Sequence, residues 1–405
     1  MSRPSWTTVA PILAIVALVP AWFAHPKGIV LGALAVLLVA AVLTAVHHAE
    51  VVAHRVGEPY GSLLLAVAVT IIEVGLIVTL MVTGDKDTAG LARDTVFAAV
   101  MITVNGIVGL SLLVGALKHH LAVFNPEGTG AALATVIALA VLCLVVPSVT
   151  TSEPGPEFTG AQLAFAAIAS LTLYGMFVFT QTIRHRDFFL PVAAGDYVPM
   201  VATKAEAAAA ASDRAADRAA DAAAEEAADE ASGADGYEHQ PVDLDEDGHA
   251  DPPTNRAAYT SLGLLVVSLV AVVGLAKIES PAIESGVAAL GFPQAVVGVV
   301  IALLVLAPES IAAVRAAARE RVQVSLNLAL GSAMASIGLT IPAIAIASIW
   351  LDGPLELGLN QLQTVLLLLT AAVAILTVVP GRAKPLQGGV HLVLLAAFLF
   401  LTIAP

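Results

Sequence analysis

Gly61–Val82 reads GSLLLAVAVTIIEVGLIVTLMV, an apolar run long enough to cross a bilayer as a helix, with a single charge, Glu73, near its centre. Runs of this kind recur along the 405 residues, of which 58% are hydrophobic and only 12% charged. A soluble domain cannot hide that much apolar surface, so lipid is the solvent for most of the chain. Barrel strands would alternate polar and apolar residues, and these runs do not. Helices remain, because they satisfy every backbone hydrogen bond within one segment.

Marking the runs between charges and Gly/Pro breaks predicts an all-α polytopic protein of about eleven helices. They are expected near Thr8–Phe23, Gly28–Ala45, Tyr60–Val82, Thr95–Leu117, Thr129–Val146, Gly160–Gln181, Ala257–Ala276, Phe292–Val314, Ser325–Trp350, Gln361–Val379 and Gly389–Ile403. The first run has little basic character before it and no convincing small-residue cleavage site after it, so it is read as a retained helix. With the N-terminus in the cytoplasm, 14 of the 18 lysines and arginines fall on the cytoplasmic side. That bias predicts an inner-membrane protein with its N-terminus inside and its C-terminus on the other side.

The net charge of −14 is concentrated in one place: residues 201–255 hold 15 acidic and 3 basic residues. This stretch is alanine-rich with spaced charges up to Ala231, then rich in Gly, Asp and Pro, and reads as a solvated cytoplasmic linker. Within it DLDEDGHAD (Asp243–Asp251) spaces Asp243, Asp245, Asp247 and Asp251 like the first half of an EF-hand loop, with Gly248 at the sixth position. Thr254 stands where that loop needs glutamate. Both a regulatory calcium site and a plain acidic linker fit.

The acids also reveal a repeat. Glu73 in VTIIEVGLIV and Glu309 in VLAPESIAAV each sit inside a long apolar run, followed by a run with small and polar residues. Setting the first helix apart (residues 1–27) leaves five helices in 28–182, a cytoplasmic linker in 183–256, and five helices in 257–405. Five is odd, so the second set enters from the opposite side and the repeats are inverted. The two glutamate helices then run antiparallel and can meet at the midplane. A carboxylate at that depth costs about 2.5–3.5 kcal/mol on insertion scales, so it is expected to face a cavity and to work there.

Two carboxylates on one cavity suit cation exchange, because two bare charges cannot share a buried space cheaply and the empty site holds protons instead. Competition between cation and proton then couples the two fluxes. Neutral oxygen donors for a hard cation are expected from Thr70, Asn105, Ser332 and Ser336, with Thr340 on the same face as the two serines. Helix packing explains hydroxyls of this kind equally well. Pro308, just before Glu309, is expected to unwind or kink its helix. His47, His48, His54, His119 and His120 collect at cytoplasmic helix ends, where they either line the interface or respond to pH. Cys143 reads as a small core residue, and His391 is a lone histidine.

Gly57–Leu80 and Phe292–Ile346, with Glu73, Glu309 and GSAMASIGLTIP at Gly331–Pro342, resemble the paired repeats of the calcium/cation exchanger superfamily, and within it the ChaA-type antiporters. The resemblance in helix order spans nearly the whole chain. Its calcium/proton branch carries a GNAxE signature in each repeat. The matching positions are Val69-Thr70-Ile71-Ile72-Glu73 and Val305-Leu306-Ala307-Pro308-Glu309, and a family glutamine falls on Ala335. The glutamates match and the three amides do not. The resemblance implies exchange of Ca²⁺, with Na⁺ or K⁺ beside it, for H⁺ at a site on Glu73 and Glu309. A Na⁺/H⁺ or K⁺/H⁺ antiporter without calcium transport, a channel, and a non-transporting sensor or scaffold acting through the acidic loop are the alternatives. No catalytic set, no cofactor and no nucleic-acid partner is expected, and no phosphate-binding loop for ATP-driven pumping is present.

Overall fold

The computed structural model describes residues 5–24, 26–57, 60–83, 88–190, 253–350 and 353–405. Eleven helices within them are long and apolar enough to span a membrane. They are α1 (Trp6–Ala24), α2 (Ile29–Val56), α3 (Tyr60–Thr83), α4 (Leu91–His119), α5 (Pro126–Val149), α6 (Gly160–Arg184), α7 (Asn255–Ala289), α8 (Ala295–Ala317), α9 (Val322–Ala347), α10 (Gln361–Val378) and α11 (Pro385–Ile403). The acidic linker and its EF-hand-like segment, including Asp243, Asp245, Asp247 and Asp251, lie outside the described residues.

Local sequence explains the helix starts. Asn125 accepts from the backbone N–H of Glu127 (2.9 Å), with Pro126 in the first turn of α5, where no N–H is needed. Thr159 with Gln162, and Asn360 with Gln363, close reciprocal capping boxes on α6 and α10. Gly57, at φ +76°, ends α2 in a conformation that favours glycine.

Two helices outrun their expected ends. α2 continues past Ala45 to Val56, and α7 past Ala276 and through Pro281 to Ala289. A hydropathy reading stops at the first charges, whereas the backbone ladder does not. Glu50, Glu279 and Glu284 therefore lie within helices, and Glu279 is buried. Glu73 and Glu309 are thus not the only acids inside spanning helices. His48 likewise belongs to the core: its Nε2 lies 2.9 Å from the Thr7 carbonyl and its Nδ1 3.3 Å from Ser261 Oγ, joining α2 to α1 and α7.

Pairings between connections sort the helix ends into two faces. The α4–α5 and α10–α11 connections pair as a short antiparallel ribbon, β1 (Ala122–Val123) with β2 (Arg382–Ala383). Arg55 Nε donates to Asn255 Oδ1 (2.8 Å), placing the end of α2 beside the start of α7 on that same face. On the opposite face Arg93, in the first turn of α4, reaches Glu356, before α10, at 3.3 Å. Each tie joins ends that eleven alternating crossings put together.

The third helix of each five-helix set is the most enclosed. The most apolar window of α4 is 89% buried and that of α9 is 61%, against 22–44% for the others. Small residues let partners in close: a Cβ on Gly388 of α11 would lie 2.6 Å from the Leu113 nitrogen of α4. Gly388→Leu is expected to cost about 1–3 kcal/mol by overpacking, read as a lower unfolding midpoint in detergent. An unchanged midpoint would contradict the close crossing.

Candidate functional site

Glu73 on α3 and Glu309 on α8 are 2% and 7% exposed, and both line one cavity of about 370 Å³. Thr70, one turn before Glu73, and Ser332 and Ser336, on successive turns of α9, line it too. Ser336 Oγ donates to Glu73 Oε2 at 3.0 Å, and Thr340 Oγ1 donates to the same oxygen at 3.1 Å. A hydroxyl face from one five-helix set thus holds the carboxylate of the other. The break in α9 at Leu339 sets this up, because Pro342 has no N–H for the Gly338 carbonyl.

The two glutamates are not equivalent. Among the described residues, Glu73 Oε1 and Glu309 Oε2 are buried without a hydrogen-bond partner, and no side-chain donor reaches Glu309. A buried carboxylate oxygen left bare is costly, and a proton or a cation can supply what is missing. Pro308 does not unwind α8, which runs unbroken from Ala295 to Ala317. It withholds the N–H that the Leu304 carbonyl would otherwise accept, one turn before Glu309.

Asn105 is not brought to this cavity. It lies in a π-helical stretch of α4 (Ile102–Ile107), donates to Thr370 Oγ1 (2.9 Å) and accepts from His391 Nδ1 (3.1 Å). The wide turn adds a residue and shifts the helix phase by about 100°. With Nδ1–H donating to Asn105, His391 Nε2 accepts from Thr377 Oγ1 (3.2 Å), making a closed buried network between α4, α10 and α11. Asn105→Leu is expected to cost about 1–3 kcal/mol by stranding Thr370 and His391, with cation affinity unchanged. Lost affinity at unchanged stability would instead make Asn105 a ligand.

Three polar lining residues escape the sequence reading: Tyr174, Gln181 and Asn327. Tyr174, Phe177, Val178 and Gln181 sit at helical spacing on α6, which closes one wall, and that spacing was the available signal. Asn327 is already committed, donating to the Phe189 carbonyl (2.6 Å) and accepting from Gln323 (2.8 Å). Leu65 at the start of α3, Gln181 at the end of α6 and Val324 at the start of α9 carry the lining toward the face that holds the β1–β2 ribbon.

A family model described as sodium/calcium exchanger protein matches residues 27–183 and 260–404. Over 408 residues the chain is 39% identical to a Sinorhizobium fredii protein named as an ionic transporter, y4hA, covering 99% of this chain and 97% of that one. It is 30% identical over 395 residues to the sodium-potassium/proton antiporter ChaA of Escherichia coli, covering 96% and 94%. Among solved structures, native YfkE superposes with a TM-score of 0.65 at 15% identity, covering 98% of this chain and 100% of that one. At that identity the likeness speaks for the fold.

Proposed function

The chain belongs to the sodium/calcium exchanger protein family, and from that premise we propose that it is a secondary active cation/proton antiporter whose transport site is built on Glu73 and Glu309. It is an ion exchanger rather than an enzyme. The observation that carries the reading is the convergence of both glutamates on one cavity, each with a buried oxygen that has no partner among the described residues. Thr70, Ser332 and Ser336 add neutral oxygens, and Ser336 and Thr340 orient Glu73. Oxygen-only sets of this kind suit hard cations.

In this reading the site alternates between a proton-loaded and a cation-loaded form. A cation entering from the ribbon face displaces protons from the carboxylates, and its departure on the other face lets protons return. Neither ion crosses without the other so long as the cavity opens to one face at a time. We assign the repeats to residues 28–182 and 257–405 and the ribbon face to the cytoplasm, on the strength of the basic residues gathered there. The membrane is then the plasma membrane, with the N-terminus inside.

Ca²⁺ is the first cation assigned, with Na⁺ and K⁺ beside it. A second reading, Na⁺/H⁺ or K⁺/H⁺ exchange without calcium, draws on the same cavity: the positions that match the branch's amides hold Val69-Thr70, Val305-Leu306 and Ala335. Proteoliposomes with an imposed pH gradient separate them. Dissipation by Ca²⁺ as well as Na⁺ or K⁺ supports the first, and dissipation by Na⁺ or K⁺ alone supports the second. No dissipation by any of the three overturns both. Were the protein a sensor acting through its acidic linker, deleting residues 201–252 would abolish function while glutamate variants stayed active.

A further inference from the structure

We propose that the hollow where α1 and α2 meet the side of α7 binds the phosphate headgroup of an anionic phospholipid. This hollow, about 640 Å³, shares no lining residue with the glutamate cavity. Lys27, in the α1–α2 connection, and Lys277 of α7 both line it, with Trp22 and Pro281. Lys277 Nζ lies 4.4 Å from the centre of the Trp22 ring. Among the described residues neither lysine has a carboxylate partner, and Glu284, the nearest acid beyond Pro281 on α7, is taken up by Ser280 Oγ at 3.2 Å.

A single lysine at a membrane boundary is ordinary. Two ammonium groups lining one hollow without an acid repel each other, and an anion between them removes that cost. Pro281 also leaves the Lys277 carbonyl without its helical donor, an acceptor suited to a headgroup hydroxyl.

Depth identifies the anion as part of a lipid. Trp22 stands two residues from the end of α1, and Lys277 directly follows the apolar run of α7. Tryptophan and lysine at such positions mark the lipid–water boundary. Beside the hollow, Phe23 (80% exposed) and Ile29 (93% exposed) present bare apolar side chains, a surface for acyl chains rather than for a free phosphate ester.

The test is lipid retention by the full chain taken from bilayers of equal parts phosphatidylglycerol and phosphatidylcholine, read by native mass spectrometry and by the unfolding midpoint. The wild type is expected to retain phosphatidylglycerol in preference and to gain stability from it alone. Lys27→Gln with Lys277→Gln is expected to weaken this binding about thirtyfold, from two surface cations lost. Arg at both positions should keep it, and Lys118→Gln with Arg319→Gln, the same charge loss on the other face, should leave it intact. Equal retention by the Lys27/Lys277 glutamine variant would overturn the proposal. So would displacement of the lipid by glycerol phosphate at matched affinity.

Discussion

Glu73→Gln and Glu309→Gln are each expected to reduce cation-driven dissipation of a pH gradient at least about a hundredfold, because each leaves a buried cation one charge short in a water-poor cavity. The measurement is initial dissipation rate in proteoliposomes at matched protein content. Glutamine keeps the volume and, in Glu73→Gln, an oxygen that can still accept from Ser336 and Thr340, so loss of folding is not the expected cause. The unfolding midpoint checks this. Exchange at wild-type rate by either variant would remove that carboxylate from the mechanism.

The next largest effect is expected from Ser336→Ala combined with Thr340→Val. Both hydroxyls donate to Glu73 Oε2, at 3.0 and 3.1 Å, and hydrogen bonds to a charged group contribute about 1.5–3 kcal/mol each. Because they share one acceptor, their effects should not add fully. The pair should raise the cation concentration for half-maximal exchange about ten- to a hundredfold. Ser332→Ala, on the same face but with no bond to Glu73, should do less. If Ser332→Ala equals the double variant, the hydroxyls act as independent ligands rather than by orienting Glu73.

The fold was largely legible because lipid imposes a simple rule. Long apolar runs must be helices, and eleven of them with a basic bias toward one face admit few arrangements. The misjudged ends of α2 and α7 have one cause. Glu50 and His54, and then Lys277 and Glu279, interrupt the hydropathy at membrane boundaries, while the helical hydrogen bonds continue beneath them.

Within the site, Glu73 and Glu309 stood out because a lone acid in an apolar run is costly. Ser332, Ser336 and Thr340 stood out because a spacing of four repeats on one face. Asn105 stood out only as an amide in an apolar run, which requires partners without naming them, and it finds them in Thr370 and His391 rather than in the cavity. Tyr174 and Gln181 were illegible as site residues. They come from α6, and their helical spacing gives them a common face without saying that the face packs against α9.

Exchange at this site requires protons and a cation to compete for Glu73 and Glu309, and calorimetry tests that without any gradient. Purified protein is titrated with Ca²⁺, Na⁺ or K⁺ in buffers of differing ionisation enthalpy, which reports protons released per cation bound. The predicted result is proton release by the wild type, with neither binding nor release in Glu73→Gln/Glu309→Gln. Cation binding with no proton released, or undiminished release by the double variant, would contradict it.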